Sequence, residues 1–175
     1  LLQNEHILSR TDPTTELLNV RAFTEKFIEI DNLSSRLKLQ YCIIYIDIDN
    51  FKLINDNFSH QEGDRILTLF AKTLKNNVRK TDIVARIGGD EFCLLLPSTT
   101  LSQVKILLTN LINKVKTDVI TLDNNAVLCS IGCLCVHHTN NNIHVEHILK
   151  EVDQLMYTIK NSTKNNIAYK EVNYI

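Results

Sequence analysis

The chain has 175 residues, 44% of them hydrophobic, enough for one domain with a real core and too few for two comfortable ones. Its 19 basic and 20 acidic residues leave a net charge of −1, so no long-range positive field favours nucleic acid or an anionic membrane, and any phosphate binding has to be local. No apolar run approaches the ~20 residues of a membrane span, and the opening LLQNEHILSR lacks the layout of a signal peptide, so a cytoplasmic domain without membrane contact of its own is expected.

The chain opens on Leu1, which suggests a segment of something longer. Thr11 or Asp12, ahead of Pro13, is a plausible helix boundary, and the loosely periodic Leu17, Leu18, Phe23, Phe27, Ile28 and Ile30 predict a first helix over about 14–31. YCIIYID, residues 41–47, is a dense β-branched and aromatic run that reads as a buried central strand ending on Asp47 and Asp49. FKLINDNF makes a short amphipathic turn or helix, and Ile66, Leu67, Leu69, Phe70, Leu74 and Val78 predict a helix over about 62–78. DIVARI and FCLLLP flank Gly88–Glu91 as two antiparallel strands of one hairpin, and Leu101 to Val115 carry the cleanest helical rhythm in the chain. A strand over 126–136, a helix around His147–Ile159 and a short strand near Ile167–Tyr169 complete the order. Helices returning between strands, with one central hairpin, predict an α+β fold: a central mixed sheet covered by helices, of ferredoxin-like character.

Five cysteines, Cys42, Cys93, Cys129, Cys133 and Cys135, lie in apolar runs. CSIGCLCVHH admits a metal site of Cys129, Cys133, Cys135 and His137, but structural zinc usually draws paired ligands from two loops, so reduced core thiols are the preferred reading.

The chemistry-bearing stretch is RIGGDEFCLLLP, residues 86–97, which holds two of the chain's four glycines next to Asp90 and Glu91. Asp47 at the end of the central strand and Asp90 and Glu91 at the hairpin tip would converge on one hard divalent cation such as Mg²⁺, which takes carboxylate oxygens and completes its shell with water and phosphate. Gly88 and Gly89 would let the chain turn with positive φ and let a ligand approach the backbone. A plain hairpin turn with solvated acids accounts for this stretch taken alone.

DIDNFKLINDNFSHQEGD (47–64), RKTDIVARIGGDEF (79–92) and TDPTTELLN (11–19) together resemble, in order and spacing, the GGDEF family of bacterial diguanylate cyclases, over about residues 11–166. The resemblance implies a nucleotide-cyclase palm-like fold and the condensation of two GTP into cyclic di-GMP. It also implies residues 1–10 as the end of an upstream signalling helix or linker, the domain proper over 11–175, and an upstream sensory or regulatory domain. It implies that Asp47, Asp90 and the main-chain carbonyl of Ile48 hold Mg²⁺ or Mn²⁺, with Glu91 as a further ligand or base. Asn55 and Asp64 would read guanine, His60 would contact substrate, and Lys52, Lys160 and Lys164 would face the triphosphate. An Asp acceptor and an Asn amide suit the guanine edge, and lysines can neutralise phosphate as point charges. Arg79 and Asp82 match an RxxD inhibitory site for the product. Since one domain presents one GTP, a symmetric homodimer is the implied active species.

Some positions depart from the family pattern: Thr14 for Leu, Glu16 for Gly, Val20 for the first Arg, Ser59 for the Gly before His60, and Lys164 for Arg. Lysine cannot make arginine's bidentate contact, so activity could be reduced. A silent GGDEF domain that binds GTP or cyclic di-GMP, and a related cyclase with another dinucleotide product, are the rival readings.

Overall fold

The computed structural model describes residues 10–138, 145–162 and 164–174. In chain order these form α1 (Val20–Leu37), β1 (Gln40–Ile48), α2 (Phe51–Asn57), α3 (His60–Asn76), β2 (Ile83–Arg86), β3 (Glu91–Pro97), α4 (Leu101–Asp118), β4 (Cys129–His138), α5 (Val145–Ser162) and β5 (Ile167–Tyr174). Residues 1–9, which include most of the expected upstream segment, lie outside the described residues.

The five strands make one sheet in the order β2-β3-β1-β4-β5. β1 is antiparallel to both β3 and β4, β2 is antiparallel to β3, and β5 adds in parallel to β4. Two interleaved split βαβ units follow, with β3 inserted between β1 and β2, and β1 inserted between β3 and β4. The expected mixed α+β sheet, with its hairpin and covering helices, is what the chain adopts.

Alternation along β1 builds two cores. Cys42, Ile44, Ile46 and Ile48 pack against Ile66, Phe70 and Leu74 of α3 and Val104, Leu108 and Leu111 of α4. Tyr41 and Ile43 face Phe23 and Phe27 of α1 and Ile148 and Val152 of α5. Tyr45 and then Asp47 continue this second row, so the Asp47 carboxylate ends the row that faces α5. On β4, Cys129, Cys133 and Cys135 join Cys42 in the first core, where all four thiols are free and buried.

The first helix departs from its expected span. Residues 14–19 form a turn instead, because Asp12 accepts from the Thr15 amide (2.8 Å) and hydroxyl (2.7 Å), and Glu16 takes a left-handed φ of 59°. Leu18 then bridges to Ala85 and seals the outer edge of β2. Asn19 is the true N-cap, accepting from the Ala22 amide. The helix runs past residue 31 because Asp31 is buried and receives the Tyr41 hydroxyl at 2.7 Å; left-handed Lys38 ends it. β5, expected as a short strand, extends to Tyr174.

Candidate functional site

The site is built at the end of β1. In the antiparallel register Asp47 stands opposite Glu91, the first residue of β3, and the Ile48 amide donates to the Asp90 carbonyl at 3.1 Å. The sheet therefore brings the three predicted acids together. Asp47 is almost fully buried, and its Oδ2 accepts from Lys160 Nζ of α5 at 2.7 Å. Its Oδ1 is buried with no hydrogen-bond partner. Burial, opposed by Lys160 but reinforced by Asp90, pushes Asp47 up to about 6. Burial, then Asp90 and Asp153, also raises Glu91. For Lys160, burial opposes the charge, but Asp47, Asp90 and Glu91 prevail and raise its pKa.

A buried carboxylate oxygen without a donor is costly unless something supplies positive charge to it. Carboxylate oxygens of this kind are the ligands a hard divalent cation prefers, although among the described residues no three acidic, histidine or cysteine side chains stand gathered as a metal site.

The hairpin tip is held by the hairpin's own Arg86, which is anchored in turn from outside it. Arg86 Nε donates to the Gly88 carbonyl (3.1 Å), and its Nη2 donates to the Gly89 carbonyl (2.7 Å). Its Nη1 lies 3.1 Å from both oxygens of Asp12 in the N-terminal turn. Burial works against Asp12, but Thr15 and Arg86 outweigh it and hold the carboxyl below its ordinary value. The glycines do not serve as expected: neither has a positive φ. A Cβ on Gly88 would lie 2.2 Å from Glu91 Oε2, so this glycine makes room for the folded-back Glu91 carboxylate, whereas a Cβ on Gly89 would meet nothing within 4 Å. Gly88 thus leaves the space that the Glu91 side chain occupies, and Gly89 leaves open surface.

Of the remaining predicted residues, Asn55 lies half-buried on α2 with its amide against α3, close enough that a Cβ on Gly63 would come 2.0 Å from its Oδ1. Asp64 lies on α3 one residue beyond that glycine, and Asp64, His60 and Lys52 are exposed. Ser59, in the family's glycine position, is extended and caps α3 by accepting from the Glu62 amide, so no glycine is needed there. Lys164 Nζ donates to Asn50 Oδ1 at 2.8 Å. Arg79 and Asp82 lie apart from the acids, at the other end of β2, where they help to line a cavity of about 560 Å³ with Lys26, Lys75 and Lys80. The Arg79 amide donates to Asp82 Oδ2 at 2.8 Å, Asp82 Oδ1 is buried without a partner, and burial raises Asp82 despite Arg79.

Three contributors escaped the sequence reading: Arg86, Asp12 as its partner, and Asp49, whose oxygens accept from the Ser130 hydroxyl (2.7 Å) and the Asn165 amide (2.8 Å). The available signals were an arginine two residues before the first motif glycine and a second acid two residues after Asp47.

A carboxylate cluster at one end of a ferredoxin-like sheet, with a lysine of α5 on its buried member, is the arrangement of a palm-like α+β domain. A family profile described as "Diguanylate cyclase, GGDEF domain" matches residues 9–166, and the chain belongs to that family. It is 35% identical over 166 residues to the diguanylate cyclase DgcM of Escherichia coli (strain K12), covering 94% of this chain and 39% of that protein. It is 31% identical to the cyclic di-GMP phosphodiesterase NbdA of Pseudomonas aeruginosa, over 93% of this chain and 21% of that one. The chain thus spans between about a fifth and two fifths of the length of these relatives. The structure of the diguanylate cyclase SiaD of Pseudomonas aeruginosa, solved with its activator SiaC, superposes with a TM-score of 0.85 at 27% identity, covering 97% of this chain and 66% of that one. Among the described residues, no helix is long and apolar enough to cross a membrane.

Proposed function

We propose that this domain is a diguanylate cyclase that joins two GTP molecules into cyclic di-GMP, releases two pyrophosphates, works as a homodimer and is inhibited by its product at Arg79 and Asp82. The observation that carries the reading is the buried, unpartnered Asp47 Oδ1 beside Asp90 and Glu91. Asp47, Asp90, Glu91 and the Ile48 carbonyl would hold Mg²⁺ or Mn²⁺, which when bound supplies positive charge for the triphosphate. Lys52, Lys160 and Lys164 add fixed charge around the leaving pyrophosphate. Asn55 and Asp64 read the guanine edge, His60 contacts substrate, and the open face of Gly89 lets phosphate approach the backbone. Glu91, raised by burial and its acidic neighbours, is suited to take the proton from the attacking 3′-hydroxyl. Each chain presents one GTP, so bond formation at both α-phosphorus atoms requires two chains face to face. An upstream regulatory domain, joined through residues 1–10 in a cytoplasmic setting, would bring the chains together.

The test is incubation of the purified chain with GTP and Mg²⁺ or Mn²⁺ across a dilution series, with products read by mass spectrometry. Cyclic di-GMP should form, with a rate per chain that falls on dilution and vanishes in Asp90→Asn. Lys164 in place of arginine, already engaged by Asn50, favours a second reading in which the domain binds nucleotide without turnover. Binding with no dinucleotide at any concentration would select it.

A further inference from the structure

At the corner where β1 gives way to α2, two residues that the cyclase reading leaves without a role reach across to the loop after α5. Asp49 is only 5% exposed, and its two oxygens are taken by the Ser130 hydroxyl of β4 and the Asn165 main-chain amide. A buried carboxylate held in this way is a rigid anchor, because moving either donor would leave a charge without a partner. The chain at its far end is unusual: Lys164 and Asn165 both have left-handed φ values, 43° and 45°. L side chains rarely adopt that conformation even singly.

Asn50 supplies an independent observation. It occupies the N-cap of α2, a position where asparagine normally accepts from the first helical amides, yet its side chain makes no capping bond. Its Oδ1 instead accepts from Lys164 Nζ at 2.8 Å. The corner therefore grips the loop twice, once by its backbone and once by its lysine, just beyond Asp47 at the end of β1 and about one helical turn beyond Lys160 on α5.

We propose that Asp49 and Asn50 are positioning residues that hold the Lys164–Asn165 turn against the end of β1, and so set the affinity for the triphosphate rather than for the guanine. The inference rests on the cyclase reading. It assigns Asn50 as the partner that orients the lysine standing where the family has arginine.

The experiment measures binding of GMP and of the non-reacting α,β-methylene analogue of GTP by calorimetry with Mg²⁺, in the native chain, Asp49→Asn and Asn50→Ala. Hydrogen exchange of the Asn165 amide is followed in parallel. Loss of a hydrogen bond that orients a charged group should weaken the triphosphate by about tenfold in each variant while GMP changes by less than about twofold. Exchange at Asn165 should accelerate in Asp49→Asn. A merely structural role would weaken both nucleotides alike, and that parallel loss overturns the inference. So does unchanged triphosphate affinity in Asn50→Ala, the variant that leaves the buried carboxylate in place and carries the test should Asp49→Asn unfold. A native chain that binds neither nucleotide overturns the cyclase reading and this inference with it.

Discussion

Asp47 shows how a single side chain can be poor for folding and good for binding. With its carboxyl pushed from 3.8 to about 6, ionising it in the folded chain costs roughly 3 kcal/mol relative to the unfolded chain. Because the folded state holds the proton more tightly, the contribution of this group to stability is greatest below pH 3.8 and is lost as pH rises through about 6. In the absence of divalent cations at pH 7.5, Asp47→Asn should therefore raise the melting temperature by about 2–5 °C, the unpaired Lys160 turning to solvent, while abolishing turnover. The gain should shrink towards pH 4, where the native carboxyl is itself neutral. A melting temperature that falls in the variant at pH 7.5 would mean that the Lys160 pair outweighs the burial. The acids themselves were legible in the sequence because their types and spacing are tied to one chemistry. Glu16 was legible only as a departure from a glycine pattern; its left-handed φ explains the glycine preference, and here the strain costs about 1 kcal/mol. The Arg86–Asp12 pair and the contacts of Asp49 were not legible, since these partners lie 74 and 81 or more residues apart in the chain and only the fold brings them together.

At the scale of elements, the position of α5 decides where Lys160 stands. Gly132 on β4 faces that helix, and a Cβ there would lie 2.5 Å from the Met156 amide nitrogen and 2.7 Å from the Val152 carbonyl oxygen. Both are backbone atoms, so no rotamer change can relieve the contact and the helix has to lift. Lys160 follows Met156 by about one helical turn, so lifting α5 draws the ammonium away from Asp47. Gly132→Ala should destabilise the domain by about 1–3 kcal/mol in urea unfolding, as overpacked cores do, and should lower turnover although the residue touches no ligand. Gly89→Ala, with open space around the added methyl, should unfold like the native chain. Equal unfolding curves for Gly132→Ala and the native chain would show that α5 tolerates the methyl. Elements with strong periodicity, α3, α4 and the β2–β3 hairpin, emerged from the sequence nearly as they stand. The start of α1 did not, because Leu17 and Leu18 fit a helical pattern but lie, Leu17 buried and Leu18 partly so, in a turn anchored by Asp12 and by the edge of β2.

Across the described residues of this near-neutral chain, basic side chains stand at two places of interest, Lys160 and Lys164 beside the acids and Lys26, Lys75, Arg79 and Lys80 around the cavity that Glu16 and Asp82 also line. The four-residue β2 runs between them: Asp82 immediately precedes it and Arg86 closes it with its grip on the glycine carbonyls. A dianionic dinucleotide bound in the cavity would engage Arg79 in charge-assisted bonds, and the buried, unpartnered Asp82 oxygen could accept from a guanine edge. Arg79 is exposed, and its main-chain amide is what it contributes to the local fold, so its side chain can be removed without disturbing β2. Arg79→Ala should therefore raise the concentration of cyclic di-GMP needed for half-inhibition by about tenfold or more, with the uninhibited rate unchanged. Removing Arg86 should do the reverse, lowering the uninhibited rate by releasing the tip. Product inhibition that survives intact in Arg79→Ala would move the inhibitory site out of the cavity and leave β2 with a structural task alone.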